Sequence, residues 1–375
     1  MTVNTTSDNP YLLLTPGPLS TSKSVKESML RDWCTWDDEY KELVQDIRRR
    51  LVLLTGDLDT FTSVLMQGSG TFSVESVLTS AVPTDGKLLV LVNGAYGSRM
   101  AKIGTIAKIE TLILDAGELN HPDLDDLDLL LREDQAITHV AVVHCETTTG
   151  MLNPVDEIGS IVKRYGKIYI VDAMSRFGGI PLDMDKLQAD FLVSSANKCI
   201  QGVPGFGFVI ASKKQMEKLD GQARSHSFDL YDQWRVMEQD QGKWRFTSPT
   251  HAVRAFSTAL EELRKEGGVA QRFQRYSKNH STLVTGMEKL GFTCLLNESL
   301  RSPIITAFYN PSQEEYRFTT FYQALKSRGF VIYPGKVTDR DTFRIGTIGD
   351  IDQHDIHRLL EAVEQSIYWE TSEKS

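Results

Sequence analysis

Residues 139–145 read His-Val-Ala-Val-Val-His-Cys, an almost continuous apolar run without polar alternation. A strand that faces water on one side alternates, whereas a continuous run fits a strand covered on both faces, as in a parallel sheet between helices. Working outward, this run belongs to a candidate strand at 137–145. Similar short runs stand at 87–93, 109–115, 168–173, 191–195 and 206–211. Between them, 96–107, 123–133 and 155–165 have helical length and mixed polarity. That alternation predicts an α/β fold with a mostly parallel sheet.

Further along, Val253, Phe256, Leu260 and Leu263 recur at three- and four-residue steps until Glu266-Gly267-Gly268 interrupts the helix. A second helix is expected over 269–290, with Phe273, Tyr276, Leu283, Met287 and Leu290 as its apolar positions. After Gly291 the pattern becomes strand (304–309), helix (319–328), two strands (330–333 and 342–345) and helix (352–369), a compact α+β unit. The expected organisation is an N-terminal arm over 1–20, a large α/β domain over 21–266 and a small α+β domain over 267–375. The ends, before Tyr11 and after Trp369, are expected to fray.

Composition narrows the function. The 375 residues are 41% hydrophobic and 24% charged, with 41 Lys and Arg against 50 Asp and Glu, a net charge of −9. This is globular composition, and an acidic chain has no general attraction for nucleic acid or anionic membrane. No secretory signal is visible, no apolar run is long enough to span a bilayer, and Cys34, Cys145, Cys199 and Cys294 are scattered. A reduced, cytoplasmic enzyme is the expectation.

Three segments carry candidate chemistry. Gln67-Gly68-Ser69-Gly70-Thr71 follows an apolar stretch and opens a helical one. It reads either as a turn with an N-cap or as a phosphate cradle, since free N–H groups at a helix start attract anions. It does not match the nucleotide P-loop. Asp172 ends the 168–173 run, at the sheet edge where ligands bind in open α/β folds; alone, it reads as an ion-pair partner or helix cap rather than as a ligand-binding group. Lys198 in Ser194-Ser195-Ala196-Asn197-Lys198 follows another buried run and, alone, reads as a solvated loop lysine. Together, an anion cradle, an acid and a lysine are the parts pyridoxal 5'-phosphate needs: a seat for its phosphate, a partner for its ring nitrogen and an amine for its aldehyde.

At this point the chain resembles a known family, the class V aminotransferases of fold type I, from Tyr11 to about Trp369. The motifs that carry the resemblance include TPGP (15–18), CTWDDEY (34–40), QGSGT (67–71), VNGAYGSR (92–99), HCETTTGMLNP (144–154), IVDAMS (170–175), SSANKCIQGVPGFGFVIA (194–211), DLYDQW (229–234), KWRFTSPTH (243–251) and FRIG (343–346). CTWDDEY, DLYDQW and KWRFTSPTH resemble most closely the members that move the amino group of 2-aminoethylphosphonate to pyruvate. The resemblance implies a seven-stranded, mostly parallel sheet and a homodimer with shared active sites. It also implies that Lys198 carries the cofactor and serves as catalytic base, with Asp172 on the ring nitrogen. Ser69, Gly70 and Thr71 would take the phosphate, Tyr96 and Met174 the two ring faces, and Thr147 the ring hydroxyl. Trp244 and Thr247 would reach the neighbouring subunit's cofactor phosphate, and Arg344 would bind the substrate's anionic end. One departure is Arg176, where relatives often carry a second serine.

The rival readings are distinct. Ser195-Ala196-Asn197-Lys198 also matches the S-x-x-K of serine hydrolases, but no K-T-G follows. Other class V enzymes, such as alanine–glyoxylate or serine–pyruvate transaminases, share the cofactor; a non-catalytic protein of this fold would not need Lys198 and Asp172. His354 and His357 are expected on a polar helix surface, without a third metal ligand in view.

Overall fold

The computed structural model describes residues 9–369 apart from Lys336 and Thr338; the chain ends expected to fray lie largely outside the described residues. Its centre is a sheet of β1 (Phe61–Gln67), β2 (Lys87–Val92), β3 (Glu110–Asp115), β4 (Ile137–Val143), β5 (Ile168–Asp172), β6 (Phe191–Ser195) and β7 (Phe206–Ser212). The strand order is β1-β7-β6-β5-β4-β2-β3. All neighbours are parallel except that β7 runs antiparallel to both β1 and β6. The run at 139–145 supplies most of β4, which pairs with β2 and β5 in the interior of the sheet. This is the α/β, mostly parallel seven-stranded fold of type I.

The helices that place the site connect these strands: α1 (Asp38–Leu53), α2 (Gly70–Ala81), α3 (Ala95–Ile106), α4 (Leu124–Glu133) and α5 (Val155–Arg164). α1 and β1 lie outside the sequence-based expectations. α1 is capped by Asp37, whose side chain accepts from Glu39 N–H, and it buries Val44, Ile47 and Leu51 at helical spacing beside a buried Arg48. Arg48 is satisfied by the Ser63 carbonyl, Gln45, Thr62 and Glu238.

After α6 (Leu230–Gln239), α7 (Thr250–Glu266) stops at Gly267, whose φ of +107° is open to glycine. α8 (Gly268–Lys289) then leads to β8 (Ile305–Tyr309), α9 (Phe318–Ser327), β9 (Tyr333–Pro334), β10 (Thr342–Gly346) and α10 (Gln353–Glu364). The second sheet has the order β8-β10-β9 and is antiparallel. Two apolar cores follow this division. One runs from Val25 to Leu263; the other joins Leu14 to residues between Leu283 and Trp369. A small third cluster, with Cys145, Cys199, Tyr276 and Ile348, lies between. The N-terminal segment crosses the molecule: Leu12–Leu13 pairs in parallel with Phe330–Val331.

Candidate active site

A cavity of about 210 Å³ opens at the C-terminal ends of the central strands. Ser69, Gly70, Thr71, Tyr96, Asp172, Met174 and Lys198 all line it. Segments as far apart in sequence as Ser69 and Lys198 meet there because β1, β2, β5 and β6 each end at the same edge. Thr147, Trp244, Thr247 and Arg344 are not in the lining.

Asp172 is the last residue of β5 and only 6% exposed. A single hydrogen bond, from Met174 N–H at 2.9 Å, holds one carboxylate oxygen. Burial raises its pKa to about 6, against the lowering influence of that amide, Lys198 and Arg99. A buried acid so sparsely paired suits a cation opposite it, and a protonated ring nitrogen supplies one.

Lys198 sits two residues past Ala196 in the turn after β6, half-buried, and donates to the Pro16 carbonyl at 2.7 Å. Burial lowers its pKa, with the charge of Arg344 adding and that of Asp172 opposing, for a net lowering. That lowering favours the neutral amine that can attack a carbonyl.

The anion cradle is the start of α2. Its N-cap, Ser69, makes no side-chain capping bond, so the Gly70 and Thr71 N–H groups and the Ser69 hydroxyl stay available, while Phe72 and Ser73 N–H donate to the Ser69 carbonyl. A Cβ at Gly70 would collide with Met174 Sδ, so a larger residue would close the cavity there. Ser195 Oγ is buried and has no hydrogen-bond partner, and its Cβ lies beside Gly70. An orphaned hydroxyl beside a helix N-terminus is what an incoming phosphate would satisfy. These residues fit pyridoxal phosphate. They do not fit a Ser–Lys hydrolase, because Ser195 ends a strand and its hydroxyl receives no bond from Lys198.

Several contributors were not singled out by the sequence reading. Asn197, Cys145 and Arg99 line the cavity. Glu146 is fully buried and accepts from Tyr96 N–H at 3.1 Å and Gly97 N–H at 2.8 Å, standing in for the missing side-chain cap of α3. Burial pushes its pKa up to about 7, with the two amides opposing and Asp172 adding. The available signal for Arg99 was its spacing, three residues after Tyr96 on one helix face.

Arg344, on β10, is 2% exposed. Its Nε donates to the Pro334 carbonyl at 3.0 Å and its Nη1 to the Thr147 carbonyl at 2.7 Å, so the guanidinium ties β9 and β10 to the turn that follows β4. Thr147 is buried and meets the site through that carbonyl. Trp244 is buried in its own chain, edge-on to Phe206, whereas Thr247 is exposed. Arg176 turns away from the cavity: it contacts the ring of buried His144 and donates to the Pro181 carbonyl at 2.6 Å. Burial and that cation keep His144 neutral, with its pKa well below the ordinary value. His354 and His357 are exposed on α10.

The fold and this cavity define a pyridoxal-phosphate-dependent enzyme of fold type I. The family described as "Aminotransferase class-V" matches residues 33–336, and the chain belongs to that family. A 2-aminoethylphosphonate–pyruvate transaminase of Vibrio vulnificus is 59% identical over 97% of this chain and 100% of its own length. One from Syntrophobacter fumaroxidans is 60% identical, covering 96% and 97%. Among solved structures, the alanine–glyoxylate aminotransferase of Nostoc sp. matches with a TM-score of 0.88 at 21% identity, over 98% of each chain. The pyridoxamine-pyruvate aminotransferase of Mesorhizobium loti matches at 0.87 and 22%, over 96% of this chain and 92% of its own. Those two likenesses concern the fold.

Proposed function

We propose that this chain transfers the amino group of 2-aminoethylphosphonate to pyruvate, giving phosphonoacetaldehyde and L-alanine. The observation that carries the reading is identity near 60%, over almost the whole length, with enzymes named for that reaction.

Pyridoxal phosphate, when bound, supplies an aldehyde that takes up the amino group and a ring that accepts electrons. The residues divide the remaining work. Lys198 Nζ, whose pKa is lowered by burial, would hold the cofactor's aldehyde and would give up that place to the donor's amine. Once free, Lys198 Nζ moves the proton from the donor's amino-bearing carbon. Asp172 keeps a proton on the ring nitrogen, which maintains electron demand. Tyr96 and Met174 bound the ring faces, and Ser69, Gly70, Thr71 and Ser195 hold the phosphate. Thr147, outside the cavity lining, would support the ring hydroxyl's side of the site in this reading. Arg344, which has no carboxylate partner among the described residues, offers its remaining donors to the donor's phosphonate and then to pyruvate's carboxylate.

The active unit in this reading is a homodimer in which Trp244 and Thr247 approach the partner's cofactor phosphate. Exposed rings support it: Phe246 beside Thr247 is 40% exposed, and Phe72 beside Thr71 is 44% exposed. Four free cysteines, three of them buried, agree with a reducing cytoplasmic setting. No helix among the described residues is long and apolar enough to cross a membrane.

The test is alanine formation from pyruvate with 2-aminoethylphosphonate, compared with ordinary amino acids as donors. Preference for the phosphonate supports the reading. A faster reaction with serine, or with alanine and glyoxylate, would move the chain to those class V activities.

A further inference from the structure

The guanidinium of Arg99 brings a positive charge into the cavity, and no Asp or Glu is salt-bridged to it among the described residues. It is half-buried on α3. Its Nη1 donates to Thr71 Oγ1 at 3.1 Å, and its central carbon lies 4.9 Å from the centroid of the Tyr96 ring. The hydroxyl thus ties the cation to the anion cradle at the start of α2, and the Tyr96 ring lies within cation–π distance of it.

The cradle itself is short of charge. A phosphate monoester carries about −1.5 to −2 at neutral pH. Ser69, Thr71 and Ser195 offer hydroxyl dipoles, and a helix N-terminus contributes only about half a positive charge. Lys198, the other basic side chain of the lining, is directed to the Pro16 carbonyl, and Arg344, outside the lining, donates to the carbonyls of Pro334 and Thr147. Arg99 is the full charge beside Thr71. Because Thr71 Oγ1 accepts from Arg99, its own hydrogen is free to donate to a phosphate oxygen.

We propose that Arg99 is the counter-ion of the cofactor's phosphate, reaching it alongside Thr71 while packed on Tyr96. The proposal rests on the reading of this cavity as a pyridoxal phosphate site. It assigns Arg99 to cofactor retention rather than to substrate, whose anionic end belongs with Arg344.

The experiment compares two probes on the full-length apoenzyme, pyridoxal phosphate and pyridoxal, by fluorescence titration. Arg99→Gln can still donate to Thr71 but lacks the charge. It is expected to weaken pyridoxal phosphate binding by roughly 10- to 100-fold, the range of a charge-assisted bond, while pyridoxal binding changes by less than about threefold. Arg99→Lys, which restores charge without the fork, should recover part of the loss. Equal weakening of both probes would mean that Arg99 merely positions Tyr96, and unchanged pyridoxal phosphate affinity would also overturn the proposal. Should the Gln variant fail to fold, the Lys variant decides by the same pair of probes. A wild type that binds neither probe would overturn the cofactor reading itself, whereas normal wild-type binding with an unaffected variant overturns only the role of Arg99.

Discussion

Lys198 Nζ lies 2.7 Å from the Pro16 carbonyl oxygen, across 182 residues of sequence, so the N-terminal segment forms part of the wall around the reactive lysine. Gly17 makes that approach possible. Its φ is +112°, and a Cβ there would stand 2.7 Å from Lys198 Cδ and 2.8 Å from Nζ. Gly17→Ala is therefore expected to displace Lys198 and lower kcat by about a hundredfold, as a misplacement near 1 Å can. Steady-state kinetics would check this, and a variant with wild-type kcat would remove Gly17 from the site's support.

Lys198→Ala should abolish transamination while the melting temperature of the apoenzyme stays close to wild type. The side chain contributes one hydrogen bond and no salt bridge, so little of the fold depends on it. Appreciable turnover by this variant would defeat the assignment of Lys198 as the cofactor-bearing base.

Arg344→Lys keeps a charge but loses the planar fork. Both half-reactions should weaken by ~1–3 kcal/mol, measured as kcat/KM for 2-aminoethylphosphonate and for pyruvate. Because Arg344 also ties β9 to the turn after β4 through the Pro334 and Thr147 carbonyls, melting should be recorded alongside. A lower melting temperature with unchanged kcat/KM for both substrates would make Arg344 purely structural.

Glu146 links stability to pH. Its pKa in the folded apoenzyme is raised from 4.5 to about 7 by burial. A carboxyl raised on folding favours the protonated form, so its cost is absent below about pH 4.5, grows through the interval and is complete above about pH 7. Removing the charge with Glu146→Gln should stabilise the apoenzyme at pH 8 by up to the order of 3 kcal/mol. The gain should shrink towards zero near pH 4.5. Melting curves across that range would show it; a difference independent of pH contradicts the linkage.

Shared active sites can be tested by complementation. A Lys198→Ala protein and a Thr247→Ala protein, each impaired alone, should regain activity when their subunits are exchanged, because one site of the hybrid has both residues intact. Exchange proven by mass with no recovered activity argues against a contribution of Thr247 across the interface.

The placement of Asp172 and Lys198 was legible, though not the role of either alone, because each closes or follows a continuous apolar run, and a buried parallel strand must deliver its next residues to the sheet's ligand-binding edge. Strand β1 was less visible: Phe61–Gln67 mixes Thr, Ser and Gln with apolar residues, and it lies at the edge of the sheet. Helix α1 was obscured by its arginines, one of which is buried only because Glu238 and the Ser63 carbonyl, far apart in sequence, satisfy it. Ser195 supported two chemistries in the sequence, and the absence of a bond from Lys198 separated them.

The sequence by itself determined the α/β alternation, the glycine stop at Gly267 and the strand ends that carry Asp172 and Lys198, since hydrophobic period and backbone freedom act over a few residues. Only the tertiary structure decided that Pro16 meets Lys198, that Glu146 caps α3, that Arg344 bonds to Thr147 and that Arg99 leans on Thr71. These contacts follow from strand order, helix placement and the docking of one core on another, so no local stretch of sequence encodes them.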